Sequence, residues 1–128
     1  LNKKVLIIEN DELLKDIVTF ILEADGYEVV VARYAPEDLQ EIHADLILLD
    51  EWINVKEGHM LCKQIKQITS LANVPIIIFS TAYNIIEIVK TCGADGYVLK
   101  PFDLDILLTE IKRFRPLSMA PVSPEAAG

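Results

Sequence analysis

At 128 residues, 52% hydrophobic and 25% charged, the chain is long enough for one domain with a real core and too apolar for disorder. Twenty acids against twelve bases leave a net charge of −8, which excludes a basic nucleic-acid-binding face and suits a cation or protein partner. No apolar run approaches the ~18 residues of a membrane span, and no charged-then-apolar signal opens the chain. A cytoplasmic location without direct nucleic-acid or membrane contact is therefore expected, and Leu1 in place of Met suggests a fragment.

The first predicted strand, "VLII" (5–8), runs straight into Glu9, Asn10, Asp11 and Glu12. Like charges this close repel unless something positive sits among them. In the helix that follows, "NDELLKDIVTFILEADG", Leu13, Leu14, Ile17, Val18, Ile21 and Leu22 form one apolar stripe, with Asn10 or Asp11 as cap and Gly26 as stop. "VVVA" (29–32) is a second strand and "APEDLQEI" a short helix with Pro36 in its first turn. "LILL" (46–49) is a third strand, ending in Asp50. "GHMLCKQIKQI" sets Leu61, Ile65 and Ile68 at helical spacing.

"IIIF" (76–79) leads to the adjacent hydroxyls Ser80 and Thr81, and "NIIEIVKTCG" is a helix stopped by Gly93. Its Ile85, Ile86, Ile88 and Val89 wrap more than one face, so part left exposed would suggest a partner surface. "YVL" (97–99) delivers Lys100, and "DLDILLTEIKRF" is a helix with an Asp cap and a basic end at Lys112 and Arg113. Residues 116–128 carry Pro116, Pro121 and Pro124 without periodicity and read as a disordered tail or linker stub after a domain of residues 1–115. Cys62 and Cys92 lack CxxC spacing and read as reduced packing thiols.

Continuous apolar strands alternating with helices define an α/β class, a doubly wound five-stranded parallel sheet of order 2-1-3-4-5. Ligands of such sheets bind past the carboxyl ends of the strands, where the winding reverses. That edge collects Glu9 and Asn10, Asp50, Ser80 and Thr81, and Lys100. Lys100 alone does not neutralise it; oxygen-only donors select a hard divalent ion such as Mg²⁺. A carboxylate beside Mg²⁺ and Lys can act as nucleophile toward a phosphoryl group, giving Asp50 a role in aspartyl-phosphate chemistry.

Plainer readings stand beside these. Glu9, Asn10 and Asp11 could simply cap a helix, as Asp11 and Glu12 are expected to do. Asp50 could end a turn, Lys100 could be solvated, and Trp52 could cover the edge. Tyr97 fits a half-buried core aromatic as well as a mobile switch. His43 and His59 are isolated from other nitrogen ligands and are not read as metal sites.

"VLIIEND", "DLILLD", "VPIIIFSTAY" and "GADGYVLKPF" together resemble the receiver domain of two-component response regulators, over residues 3–114. The resemblance implies a flavodoxin-like fold, Asp50 as phosphoacceptor and a metal site at Glu9, Asn10, Asp50 and the Trp52 carbonyl. It also implies Ser80 as switch hydroxyl, Tyr97 as switch aromatic, Lys100 as the phosphate-binding amine and a cis Lys100–Pro101 bond. Spacing from Asp50 and Pro75 points to Ser80; the local "TAY" points to Thr81. The implied partner is a histidine kinase or phosphotransfer protein. The face of the fourth helix, fifth strand and fifth helix would serve a homodimer or an output domain. The chain would catalyse only its own phosphorylation and dephosphorylation.

The sequence departs from the family at Asn10, where Asp is usual, at Glu51, and at Asn54. Ser80 and Lys100 lie 20 positions apart, about two fewer than usual. These departures favour an alternative, a pseudo-receiver that docks proteins without phosphorylation. A flavin or nucleotide binder is a third reading, but no GxGxxG or Walker loop is present.

Overall fold

The computed structural model describes residues 3–9, 11–32, 42–50, 52–53, 56–81, 84–100 and 103–114, with backbone alone for 52–53, 56–59 and 104. The predicted helix "APEDLQEI", apart from Ile42, and the tail at 116–128 lie outside the described residues.

Five parallel strands form the sheet: β1 Lys4–Ile8, β2 Glu28–Val31, β3 Leu46–Asp50, β4 Ile76–Ser80 and β5 Gly96–Leu99. Their order is β2-β1-β3-β4-β5, the doubly wound arrangement expected. Between them run α1 Glu12–Ala24, α2 Gly58–Lys66, α3 Ile85–Cys92 and α4 Leu104–Arg113. A two-residue antiparallel pairing of Trp52–Ile53 with Lys56–Glu57 follows β3.

The strands are buried on both faces. On one side Val5, Ile7, Leu48, Ile77, Phe79 and Val98 meet Val18 and Leu22 of α1 and Leu107 and Ile111 of α4. On the other, Leu6, Ile8, Leu49, Ile76 and Ile78 meet Leu61, Cys62 and Ile65 of α2 and Ile85 and Cys92 of α3. This double coverage explains the unbroken apolar runs. Cys62 and Cys92 are buried thiols outside any disulfide, as expected; Cys62 Sγ lies 3.5 Å from the Cys92 carbonyl, and contact with Cys92 together with burial raises its pKa.

The predicted α1 stripe needs correcting. Val18 and Leu22 are buried, but Leu13 is 70% exposed and Ile17 43%, and Phe20 beside them is 74% exposed. Six apolar positions in two adjoining rows are more than one helix face can bury, and the sheet took the row containing Val18 and Leu22. On α3, Ile85 is buried whereas Ile86 is exposed, so the extra isoleucine does reach solvent.

Helix ends follow the predicted chemistry. Asp11 caps α1, its Oδ1 accepting from Leu14 N at 3.1 Å, and Asp103 caps α4 through Ile106 N at 2.9 Å. Gly93 ends α3 at φ 82°, a left-handed conformation natural to glycine. At the opposite edge of the sheet, Asp95 accepts from Ile76 N at 2.9 Å and pairs with Lys66 at 3.0 Å, anchoring the loop before β5 to the start of β4.

Candidate functional site

The winding reverses between the adjacent strands β1 and β3, which pair in register from Val5 with Leu46 to Ile8 with Leu49. Glu9 leaves the end of β1, and Asp50 ends β3 beside it. Lys100 follows β5 and reaches across this edge. Its Nζ donates to Asp50 Oδ1 at 3.1 Å and lies 3.5 Å from Glu9 Oε2. One ammonium thus touches two carboxylates from different strands. The arrangement is secluded: the side chains of Glu9, Asp50 and Lys100 are 1%, 10% and 21% exposed.

Glu9 shows the cost of this crowding. Burial raises its carboxyl pKa to about 7, with the neighbouring Asp50 carboxyl adding to the rise. The Asp11 N–H and the Lys100 charge oppose the shift. Glu9 Oε2 accepts from Asp11 N at 3.1 Å, while Oε1 is buried with no hydrogen-bond partner. A buried carboxylate oxygen left unpaired is costly, and a cation would satisfy it. Two carboxylates with an orphaned buried oxygen are the hard donors a divalent ion such as Mg²⁺ takes. Among the described residues no group of three or more His, Cys, Asp and Glu side chains forms a metal cluster. Asn10 lies outside the described residues, as do Glu51, Asn54 and the Lys100–Pro101 bond; Trp52 is placed by its backbone just past Asp50.

The hydroxyls differ sharply. Ser80 is 2% exposed and ends β4 beside Asp50, which pairs with Phe79; Thr81 is exposed. The Ser80 carbonyl accepts from Lys100 N at 2.8 Å, so the ends of β4 and β5 remain tied although the loop and helix between them are short. Tyr97 is half-buried and packs against the core on the α2–α3 side. A surface depression of about 280 Å³ beside it is lined by Asp105, Ile106, Thr109 and Glu110. His43 is exposed, and the His59 side chain lies outside the described residues.

The edge therefore brings together Glu9, Asp50 and Lys100, sets Ser80 next to them and leaves Thr81 in solvent. Sequence reasoning treated Asp11 as a cap alone and missed its backbone hold on Glu9. The signal was there in the two-residue separation, a reach common for a carboxylate accepting from the backbone.

Fold and site define a doubly wound α/β protein with an acidic, lysine-bridged edge at its switch point. The chain belongs to the response regulator receiver domain family, whose model matches residues 5–112. It is 34% identical over 113 residues to the sensory transduction protein RegX3 of Mycolicibacterium smegmatis, covering 84% of this chain and 48% of that protein. To the phosphate regulon transcriptional regulatory protein PhoB of Rhizobium meliloti it is 32% identical over 114 residues, covering 85% and 50%. The chain thus spans about half the length of these curated relatives. The chemotaxis response regulator CheY4 of Vibrio cholerae superposes with a TM-score of 0.82 at 26% identity, covering 90% of this chain and all of that one. The receiver domain of sensor histidine kinase PA1611 from Pseudomonas aeruginosa, solved with magnesium in its active site cleft, shares the fold at a TM-score of 0.78 and 22% identity, covering 89% and 98%. No helix among the described residues is long and apolar enough to cross a membrane.

Proposed function

We propose that this receiver domain accepts a phosphoryl group on Asp50, with Mg²⁺ as cofactor, from a histidine kinase or phosphotransfer protein. The observation that carries the reading is the Asp50 carboxylate, buried at the end of β3 and paired with Lys100 at 3.1 Å beside a second acid, Glu9. A bond forms from an Asp50 oxygen to phosphorus as the bond from phosphorus to the donor breaks, and the donor keeps that electron pair. Lys100 is placed to pair with the transferred oxygens. Glu9, Asp50, Asn10 and the Trp52 carbonyl would hold the cation, which when bound supplies charge to offset those oxygens. The magnesium described in the PA1611 receiver is consistent with that choice.

Of the two hydroxyls, Ser80 is the better switch because it is buried at the strand end next to Asp50 while Thr81 is exposed. The added charge, about −1.5 to −2, draws Ser80 and Lys100 inward and biases the face near Tyr97 and the depression beside it. The catalysis is confined to the domain's own phosphoryl group. The greater length of RegX3 and PhoB supports an output segment in the intact protein, joined to this domain through that face.

Incubation with acetyl phosphate and Mg²⁺, followed by intact mass, tests this reading. One phosphoryl group should be gained by the wild type and none by Asp50→Asn. Equal labelling of both, or of neither, would defeat it, the second outcome in favour of a phosphorylation-independent docking domain.

A further inference from the structure

We propose that Asp11 is a positioning residue of the cation site: by capping α1 it sets its own N–H on Glu9 Oε2, leaving Glu9 Oε1 as the oxygen turned to a divalent cation. The inference rests on the cation reading above and adds a residue that does not itself touch the ion.

The two oxygens of Glu9 are not equivalent. Oε2 has two positive neighbours, the Asp11 N–H at 3.1 Å and Lys100 Nζ at 3.5 Å. Oε1 has none and is buried, on a side chain that is 1% exposed. A free glutamate would rotate to spread its partners over both oxygens, so something must hold this one. The Lys100 contact alone is too long to do so, and its flexible stem can follow the carboxylate wherever it turns. The backbone N–H of Asp11 has no such freedom.

The direction of that N–H is set by the cap. Asp11 is extended, φ −87° and ψ 110°, while Glu12 onward is helical. That break in conformation turns the Asp11 N–H back along the chain toward Glu9, and the side chain secures it by accepting from Leu14 N at 3.1 Å. One residue thus faces both ways, its side chain closing the helix and its backbone clamping the acid. Without the cap, residue 11 can slide into helical conformation or fray, and the clamp on Glu9 goes with it.

The test is Mg²⁺ affinity by titration calorimetry on the full chain, for wild type, Asp11→Ala, Asp11→Asn and Ala24→Gly. Asparagine is also a good cap, so Asp11→Asn keeps the clamp while removing the charge. Ala24→Gly weakens α1 from its exposed far end without approaching Glu9. Asp11→Ala should lose about fivefold in Mg²⁺ affinity, with Asp11→Asn within about twofold of wild type and Ala24→Gly unchanged. A second readout needs no metal: the amide of residue 11 should be protected from hydrogen exchange in wild type and exposed in both Asp11→Ala and Glu9→Ala. Wild-type affinity in Asp11→Ala, an equal loss in Ala24→Gly, failure of Asp11→Asn to rescue, or protection persisting in Glu9→Ala would each overturn the proposal alone. A wild type that takes up no Mg²⁺ overturns the cation reading as well.

Discussion

Glu9 is the residue under most electrostatic stress, and its consequences can be measured. Its carboxyl pKa is about 7 in the fold against 4.5 when unperturbed. The folded state therefore holds a proton that the unfolded state releases, and the metal-free protein loses stability as pH rises from about 4.5 through 7. Glu9→Gln has no proton to lose. Relative to wild type it should gain nothing below pH 4.5 and at most about 3 kcal/mol above pH 8, read from urea unfolding in chelator. Added Mg²⁺ should stabilise wild type more at pH 8 than at pH 5, because the ion needs the carboxylate. A flat difference across this range would show that Glu9 is ionised throughout. Lys100 carries the complementary prediction. Removing it leaves Asp50 and Glu9 facing each other, so Lys100→Ala should cost about 1–2 kcal/mol without metal, a buried-pair loss discounted for its partial exposure. Mg²⁺ should restore much of that, and a loss of the same size with saturating Mg²⁺ would separate Lys100 from the cation site.

Secondary-structure elements divide between those the sheet needs and those it leaves to solvent. On α1, Leu22 is fully buried while Phe20 is 74% exposed. Leu22→Ala should cost about 2–5 kcal/mol and Phe20→Ser less than about 0.5, a contrast that composition alone would not suggest. The junction of β5 and α4 is tighter. A Cβ on Gly96 would run into the Glu110 carboxylate and sit 3.0 Å from the Phe114 ring. Glu110 is itself held by Arg113, which donates to both of its oxygens at 2.8 Å. Gly96→Ala should therefore lower stability by about 1–3 kcal/mol through overpacking. The double variant with Glu110→Ala should recover part of that loss, since the two sites share one space. Purely additive costs would mean that the clash is relieved elsewhere.

For the whole molecule, a charge of −8 means that cations help in two distinguishable ways. Monovalent salt screens general repulsion and should raise stability gradually without saturating. Mg²⁺ at millimolar levels should add a saturable increment, which Asp50→Asn should reduce or abolish, measured as a melting-temperature shift at constant ionic strength. A response identical in both proteins would reduce the ion to a screening agent.

Much of this was legible in the amino-acid order because it depends on local spacing. Apolar runs broken by capped helices determined the strands, their parallel pairing and the 2-1-3-4-5 winding, and the winding selected Glu9 and Asn10, Asp50, Ser80 and Thr81, and Lys100 as the edge to inspect. The chain by itself did not determine which helical face would be buried, because α1 offers apolar residues on more than one side and only the neighbouring sheet discriminates among them. Strand-end spacing favoured Ser80 over Thr81, but the difference in their burial came only with where β4 ends. The partnering of Glu9 was likewise decided in three dimensions: a carboxylate's pKa depends on what surrounds it, and here that is an amide two residues away, an acid 41 positions on and a lysine 91 positions on. Spacing along the chain carries periodicity, whereas desolvation and charge proximity exist only once distant segments meet.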